Sequence, residues 1–284
     1  MIQINQMFFE YSKGQNLFEK LSLKLAPGNV YGLLGKNGAG KTTLLKLITG
    51  LLFPISGECK VLGFKPGERS PLLLRELFFI PEEFYLPPVK IEEYIKLYAP
   101  FYPRFDNDRF NTYRNDFILA TATSLSNLSY GQKKKFLLAF GLATGCRLLI
   151  LDEPTNGLDI PTKSQFRKIL AGSMNDERTF IISTHQVRDM ENLIDPIIIL
   201  DEGEIIFNAD MADVTDHLSV GLQQDEPKET DTLYIEKVLG GYAVMTVNRT
   251  GVATKIDLEI LFNAVINKRA EINTIFHKEV QHAG

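Results

Sequence analysis

A glycine-rich loop with the sequence GKNGAGKT occupies residues 35–42. It follows an apolar run typical of a buried strand and precedes a segment of helical periodicity at 42–52. In this setting the pattern G-x-x-x-x-G-K-[ST] wraps a phosphate with backbone N–H groups at the positive end of a helix. We therefore expect Lys41 to supply charge to the β- and γ-phosphates of a nucleotide and the Thr42 hydroxyl to ligate Mg²⁺. The predicted nucleotide-binding residues of this segment are Gly35, Asn37, Gly38, Ala39, Gly40, Lys41, Thr42 and Thr43.

The chain alternates short apolar runs with longer segments of helical period, which is typical of an α/β fold. Residues 30–34, 148–151 and 180–183 are predicted to be buried strands, and polar residues follow the last two. Residues 1–26 alternate like antiparallel strands, with a turn at 12–16. The sequence therefore predicts a mostly parallel core sheet with flanking helices and an N-terminal antiparallel part. Such sheets bind ligands at the carboxyl ends of their strands.

Two carboxylates end the second predicted strand, in the sequence LLILDEP. Successive strand residues point to opposite sides, so Asp152 and Glu153 are not expected to share one role. Asp152 suits the outer coordination shell of Mg²⁺, whereas Glu153 suits a general base that orients and polarises an attacking water. Pro154 ends the strand and helps to fix where both side chains emerge.

Charge and cysteine content restrict the possible partners and compartment. The 284 residues carry 31 Lys and Arg against 35 Asp and Glu, a net charge of −4, with one basic run at 133–135. Coating duplex nucleic acid takes a surplus of clustered cations, so no nucleic acid partner is expected. Two cysteines without a CxxC pair, and no apolar N-terminal signal, indicate a reducing cytosolic compartment. The apolar runs are far shorter than the roughly 18–20 residues that span a bilayer, so any membrane attachment is expected to be peripheral.

Aromatic residues are dense between 77 and 110, where they are interleaved with proline. One interpretation is the aromatic core of a small helical subdomain at about 84–145. The other is that part of this segment forms a docking surface, because contiguous exposed aromatic side chains mark partner contacts.

The polar stretch at 216–231 is predicted to be a linker to an appendage. Residues 232–284 are predicted to form a small accessory α+β module. Its elements are a β-hairpin over 233–247 and an amphipathic helix over 257–280. The helix is expected to pack on its own hairpin, with self-association as the alternative.

The sequence LSYGQ at 128–132 resembles the signature motif of ATP-binding cassette (ABC) ATPases, given the glycine-rich loop upstream and the Asp-Glu strand downstream. Its Ser and Gln have the spacing of a capping box, which opens a helix with free N–H groups for an anion. Three further features match: Tyr11 where an aromatic side chain stacks on adenine, a D-loop that ends at Asp159, and His185 in the place of the switch histidine. The resemblance covers about residues 1–212.

This resemblance implies an ABC-type P-loop NTPase fold over an ATPase domain at 1–215, ATP and Mg²⁺ as cofactors, and catalytic roles for Glu153 and His185. In the family, two cassettes sandwich two ATP molecules, and the signature motif of one faces the glycine-rich loop of the other. A second copy of the chain, or a homologous cassette, is therefore an expected partner. The residues expected to act in trans are Ser129, Tyr130, Gly131 and Gln132.

A single cassette with an aromatic-rich segment is similar to the separate ATP-binding subunit of bacterial exporter-type ABC transporters. The similarity implies a separate integral membrane permease, which would dock near residues 82–106, and a peripheral position at the cytoplasmic face of the membrane. The alternative is a soluble ABC ATPase that acts on ribosomes or nucleic acid. Against it stand the single cassette, the lack of a long coiled-coil insertion and the acidic net charge.

Three residues depart from the family pattern. Tyr130 stands where glycine is usual, and Ile160 replaces a frequent proline after the D-loop. Glu82 occupies the place of the Q-loop glutamine, which in the family links Mg²⁺ and the attacking water to the membrane partner. A carboxylate also ligates Mg²⁺ but adds negative charge beside the γ-phosphate. We therefore expect Glu82 to be a metal ligand that keeps the coupling role with altered metal dependence or turnover.

Overall fold

The computed structural model describes residues 1–119, 124–227 and 232–277. The strands are β1 (Ile2–Glu10), β2 (Asn16–Leu25), β3 (Val30–Leu34), β4 (Ser56–Val61), β5 (Leu77–Ile80), β6 (Leu148–Asp152), β7 (Thr179–Thr184), β8 (Ile197–Asp201), β9 (Glu204–Ala209), β10 (Leu218–Gln223), β11 (Thr232–Val238) and β12 (Gly241–Val247). The α-helices are α1 (Lys41–Ile48), α2 (Pro71–Leu74), α3 (Ile91–Tyr98), α4 (Asn107–Asp116), α5 (Tyr130–Ala143), α6 (Ile160–Gly172), α7 (Met211–His217), α8 (Leu258–Asn267) and α9 (Arg269–His277).

Six strands form the central sheet in the order β5-β6-β7-β3-β8-β9, and all neighbours are parallel except β8 and β9. Every residue of β3, β6 and β7 is buried, because the sheet is covered on both faces. Alternate residues of β3 accordingly belong to two different hydrophobic cores, with Val30 and Leu34 in one and Tyr31 and Leu33 in the other. The predicted α/β class is confirmed.

The N-terminal strands form a second, antiparallel sheet in the order β2-β1-β4. The predicted antiparallel pairing of residues 1–26 is confirmed, whereas the addition of β4 to this sheet was not predicted. Its apolar face and the buried face of α1 share one core with Tyr31 and Leu33. This core fixes α1, and therefore the glycine-rich loop before it, against the central sheet.

The second core extends from the other face of the central sheet into a helical subdomain built from α3, α4 and α5. Phe110, Phe136 and Phe140 are almost completely buried there, and the Tyr94 ring packs edge-on against the last two with centroid distances of 5.0 and 5.2 Å. Most of the aromatic-rich segment is thus packed inside the subdomain. Tyr85 and Phe101 remain 83% and 67% exposed.

The C-terminal elements include an antiparallel sheet in the order β10-β12-β11, and the predicted hairpin is its β11–β12 pair. The predicted linker at 216–231 is wrong over Leu218–Gln223, which forms β10. Leu218 is completely buried, and the strand pairs with β12 along its whole length. The polar residues at 223–231 dominate the composition of the predicted linker, and for this reason composition predicts a linker over the strand as well. Residues 228–231 of that stretch lie outside the described residues.

The predicted helix over 257–280 is two helices, because the chain breaks at Lys268, whose φ and ψ are −129° and 38°. Residues 278–280 of that prediction lie outside the described residues. Helix α8 packs on β11, as expected, and also on the turn at 187–189 that follows β7. Within the described ranges, none of the helices combines the length and apolar character that a bilayer crossing requires.

Candidate active site

A cleft of about 680 Å³ opens where β3, β6 and β7 end. Gly35 and Ala39 belong to the glycine-rich loop but lie behind the lining, since Ala39 is buried and Gly35 packs on the Leu200 carbonyl group. The structure therefore brings together most of the nucleotide, metal and catalytic residues predicted from sequence. The predicted residues that line the cleft are Tyr11, Asn37, Gly38, Gly40, Lys41, Thr42, Thr43, Glu82, Asp152, Glu153 and His185.

The glycine-rich loop takes its shape from two residues in left-handed conformation, Gly38 and Gly40, with φ of 83° and 108°. Lys41 opens α1 and is only 7% exposed. Its Nζ donates to the carbonyl oxygens of Gly35 at 2.7 Å and of Lys36 at 3.2 Å. Burial lowers the pKa of the Lys41 ammonium, while Glu153, Asp152 and Glu82 act in the opposite direction. The loop thus curls around a cation at the positive end of α1, which is the arrangement that holds a phosphate chain.

Asp152 joins the loop to two strands of the central sheet. Its Oδ2 accepts a hydrogen bond of 2.7 Å from the Thr42 hydroxyl, and its Oδ1 accepts one from the Ser183 hydroxyl. The Asp152 side chain is 1% exposed. A buried carboxylate beside a threonine hydroxyl presents hard oxygen atoms, the ligand type that Mg²⁺ prefers.

Glu153 turns into the same cleft because its backbone is left-handed, with φ of 47°. Its Oε1 accepts a hydrogen bond of 3.0 Å from the His185 backbone N–H and lies 2.8 Å from His185 Nδ1. Its Oε2 is buried and has no hydrogen-bond partner among the described residues. One oxygen of the carboxylate is therefore fixed, and the other is available to accept a proton.

Tyr11 lies at the rim of the cleft and is 61% exposed. Its hydroxyl is 2.7 Å from the Thr43 hydroxyl, and its ring packs edge-on against Phe9 with a centroid distance of 5.0 Å. These contacts fix an aromatic ring beside the loop and leave much of it accessible. That it stacks on adenine stays a prediction.

Glu82 reaches the cleft from the segment after β5. Its Oε1 accepts a hydrogen bond of 3.0 Å from the Asn156 side chain, in the predicted D-loop. The carboxylate is thereby held beside the other acids of the cleft. This contact was not predicted, because it joins residues from two separate segments of the chain.

The signature segment and Asp159 are not part of the cleft lining. Ser129 and Gln132 form the predicted capping box: the Gln132 N–H donates to Ser129 Oγ at 3.3 Å, and the Ser129 N–H to Gln132 Oε1 at 3.1 Å. Asp159 caps α6 by accepting a hydrogen bond of 2.8 Å from the Thr162 N–H. Within one chain these residues shape helix ends.

Comparison with known proteins agrees with this geometry. A family model described as ABC transporter matches residues 18–156. The lantibiotic transport ATP-binding protein SrtF of Streptococcus pyogenes is 32% identical over 220 residues, which cover 72% of this chain and 89% of that protein. The chain belongs to the family of ABC transporter ATP-binding proteins. It is thus an ABC ATPase, which binds and hydrolyses ATP.

Two further proteins are similar to this ABC ATPase. The Nod factor export ATP-binding protein I of Rhizobium etli is 28% identical over 235 residues, covering 78% of this chain and 72% of that protein. A solved dimeric ATP-binding cassette in a post-hydrolysis state, bound to ADP and phosphate, superposes with a TM-score of 0.66 at 22% identity, over 74% of this chain and 99% of that one. The second comparison shows a shared fold.

Three residues of the ABC ATPase cleft were missed in the sequence, namely Gln15, Asn16 and Leu17. The sequence predicts only a turn at 12–16 and a strand after it for this segment. They line the cleft because β1 and β2 form a hairpin that places both Tyr11 and this segment beside the glycine-rich loop. Their closeness to Tyr11 in the predicted hairpin was the available signal.

Proposed function

We propose that this ABC ATPase is the separate ATP-binding subunit of an exporter and powers transport through an integral membrane permease. The ATPase part of this proposal is supported most directly by the Glu153–His185 pair, which lies in one cleft with the phosphate-binding loop and Asp152. Export is supported by the relatives, one named for lantibiotic transport and one for Nod factor export.

The hydrolytic step follows from the two oxygens of Glu153. Oε2 accepts the proton of the attacking water, while the His185 contacts hold Oε1 and so fix the carboxylate. Lys41 holds the β- and γ-phosphates in line with that water. Tyr11 supports the adenine ring at the rim of the cleft.

The donor atoms of the cleft fit Mg²⁺. Mg²⁺ that accompanies a nucleotide uses one or two carboxylates together with phosphate oxygens. Thr42, Asp152 and Glu82 would hold it here, and Mg²⁺ when bound would neutralise charge that develops on the phosphates. No group of three or more His, Cys, Asp or Glu in the part of the chain that the structure describes forms a separate metal site.

We expect Glu82→Gln to increase the Mg²⁺ requirement of ATP hydrolysis and to decrease KM for ATP. Glutamine can still accept the Asn156 hydrogen bond, so the substitution removes one charge and little else. Losing a carboxylate ligand should raise the Mg²⁺ concentration for half-maximal hydrolysis several-fold, and removing negative charge beside the γ-phosphate should lower KM for ATP. Steady-state ATPase assays across Mg²⁺ and ATP concentrations measure both. Glu83→Gln is the matched control, because Glu83 is an exposed neighbour outside the cleft. Unchanged Mg²⁺ dependence in Glu82→Gln would contradict the role of Glu82 as a metal ligand.

A second copy of the chain is the proposed partner across the nucleotide. The signature residues Ser129 and Tyr130 are exposed, lie outside the cleft of their own chain and begin the 14-residue helix α5. The positive end of such a helix favours an anion. The related cassette with the same fold is a dimer. The signature segment of one copy would then complete the phosphate site of the other.

An apolar groove of about 690 Å³ is the proposed docking site for the permease. Phe101, 67% exposed, lies in it, and so does Phe79, which precedes Glu82 by three residues. A cytoplasmic segment of the permease seated here would be one short loop away from the nucleotide cleft. The chain would then lie peripherally at the cytoplasmic face of the membrane. The groove includes Leu51, Leu74, Phe79, Phe101, Tyr102 and Pro103.

Capture of the tagged chain from gently solubilised membranes tests the permease. We expect a stoichiometric multi-span protein, and we expect Phe101→Asp to lose it, because a charge in an apolar interface costs several-fold or more in affinity. Ile118→Asp is the matched control, since Ile118 is 87% exposed in the same subdomain but outside the groove. Recovery of ribosomes, or of the chain alone, would instead contradict the transporter proposal while leaving the ATPase chemistry in place.

A further inference from the structure

Lys134 is completely buried on α5, one helical turn after Tyr130 of the signature segment. Its Nζ donates to the backbone carbonyl oxygen of Glu153 and lies 3.5 Å from the Tyr130 hydroxyl oxygen. Lys134 is not among the residues that line the nucleotide cleft. It therefore contacts the proposed base outside the cleft lining, through the main-chain carbonyl group of Glu153.

A buried lysine needs a reason, because moving an ammonium group out of water is costly. Burial lowers the pKa of Lys134 to about 8, while the nearby carboxylates of Glu82, Asp152 and Glu153 favour its charged form. A methionine of similar length would avoid that cost. The ammonium group at this position thus points to a role other than packing.

The backbone of Glu153 is what this ammonium group holds. Its φ of 47° is a strained conformation for a residue with a side chain. On one side the Glu153 N–H donates to the Ser183 carbonyl oxygen at 3.1 Å and to Ser183 Oγ at 3.2 Å. On the other side the Glu153 carbonyl oxygen accepts one bond from the Asn156 N–H at 3.2 Å and one from the Lys134 ammonium group, which is the only one of these donors that carries a charge. The two peptide groups that set the direction of the Glu153 side chain are therefore both anchored.

Tyr130 connects this anchor to the signature segment and to Glu82. Its hydroxyl donates to the Glu82 carbonyl oxygen at 2.8 Å, and its ring stacks on Phe84 with a centroid distance of 5.4 Å. Gly157 leaves room for that ring, since a Cβ there would lie 2.7 Å from it. The tyrosine that departs from the family pattern thus joins three parts of the chain.

We propose that Lys134 is a positioning residue that holds the Glu153 backbone in its hydrolytic conformation and, through Tyr130, links the signature segment to the base of the same chain. This proposal rests on the proposed role of Glu153. In a dimer, the nucleotide bound to the partner copy would contact the signature segment of this chain. That contact would then affect the orientation of Glu153 in this chain.

The test is Lys134→Met in the full chain. We expect kcat for ATP hydrolysis to fall about tenfold or more, while KM for ATP and the nucleotide dissociation constant change less than twofold, because the cleft lining is intact. Lys133→Met, one residue away and partly exposed, is the matched control and should keep the wild-type kcat. In a Glu153→Gln background, Lys134→Met should lower the residual kcat no further.

Wild-type kcat in Lys134→Met overturns the proposal, and so does an equal loss in Lys133→Met or a rise in KM that matches the fall in kcat. The two proposals fail separately. Sustained turnover in Glu153→Gln would contradict the role of Glu153 as the base. An inactive Glu153→Gln together with a normal kcat in Lys134→Met would contradict only the positioning role of Lys134. If Lys134→Met does not fold, Tyr130→Phe decides, since it keeps the ring and loses both hydroxyl contacts. A fall in its kcat at constant KM supports the link, and an unchanged kcat overturns it.

Discussion

Glu153→Gln should bind Mg²⁺–ATP normally and hydrolyse it about 10²- to 10⁴-fold more slowly than the wild type, the range that a general base contributes. Glutamine keeps the shape of the side chain and can still accept the His185 N–H bond, but it cannot take a proton from water. The nucleotide contacts to the glycine-rich loop are untouched. ATP should therefore stay bound, and a closed dimer should accumulate.

Two measurements check this result: single-turnover hydrolysis of radiolabelled ATP and the oligomeric state by size-exclusion chromatography with ATP. Glu177→Gln changes an exposed carboxylate away from the cleft and serves as the control. Turnover at the wild-type rate in Glu153→Gln would show that another group activates the water. A faster rate of ATP release with slow hydrolysis would contradict the assignment of Glu153 to chemistry alone.

Lys41→Ala should lose nucleotide affinity itself, by about 10- to 100-fold, which corresponds to the roughly 1.5–3 kcal/mol of a charged hydrogen bond. The Lys41 ammonium is the buried cation at the centre of the loop, bonded to the Gly35 and Lys36 carbonyl oxygens. Without it the β- and γ-phosphates lose the positive charge that Lys41 places beside them, and the loop loses two internal hydrogen bonds.

Isothermal titration with ATP and with ADP measures that loss, and the melting temperature without nucleotide shows whether the fold persists. Lys36→Ala is the control, because Lys36 belongs to the same loop but its exposed side chain does not line the cleft. Normal ATP affinity in Lys41→Ala would contradict the phosphate-site assignment. Equal losses in both variants would indicate a general effect of charge.

Local patterns were sufficient for the features that depend on short stretches of chain. The glycine-rich loop, the strand ending in Asp152 and Glu153, and the Ser129–Gln132 cap each depend on adjacent residues, and the structure shows all three. The partners of these residues depend instead on how distant segments meet. The Glu82–Asn156 hydrogen bond and the third strand of the N-terminal sheet are of that kind.

The basic run at 133–135 shows most clearly what a linear pattern omits. In sequence the three lysines form one patch of charge, yet a helix turns each residue about 100° from the last. Lys134 consequently points inward and is completely buried, while its two neighbours remain partly exposed. Strand β10 was missed for a related reason, because its six residues precede a longer polar stretch that determines the local composition.

Helix α8 contacts the turn after β7, so a change in the C-terminal elements can reach the segment next to the active site. Leu258, Leu261 and Val265 share one hydrophobic core with Val187 and Met190, only a few residues beyond His185. The Arg188–Glu259 ion pair joins the same two elements at the surface. A chain cut near residue 215 would therefore expose this apolar surface. We expect a substitution within α8 to affect the position of His185, which contacts the proposed base.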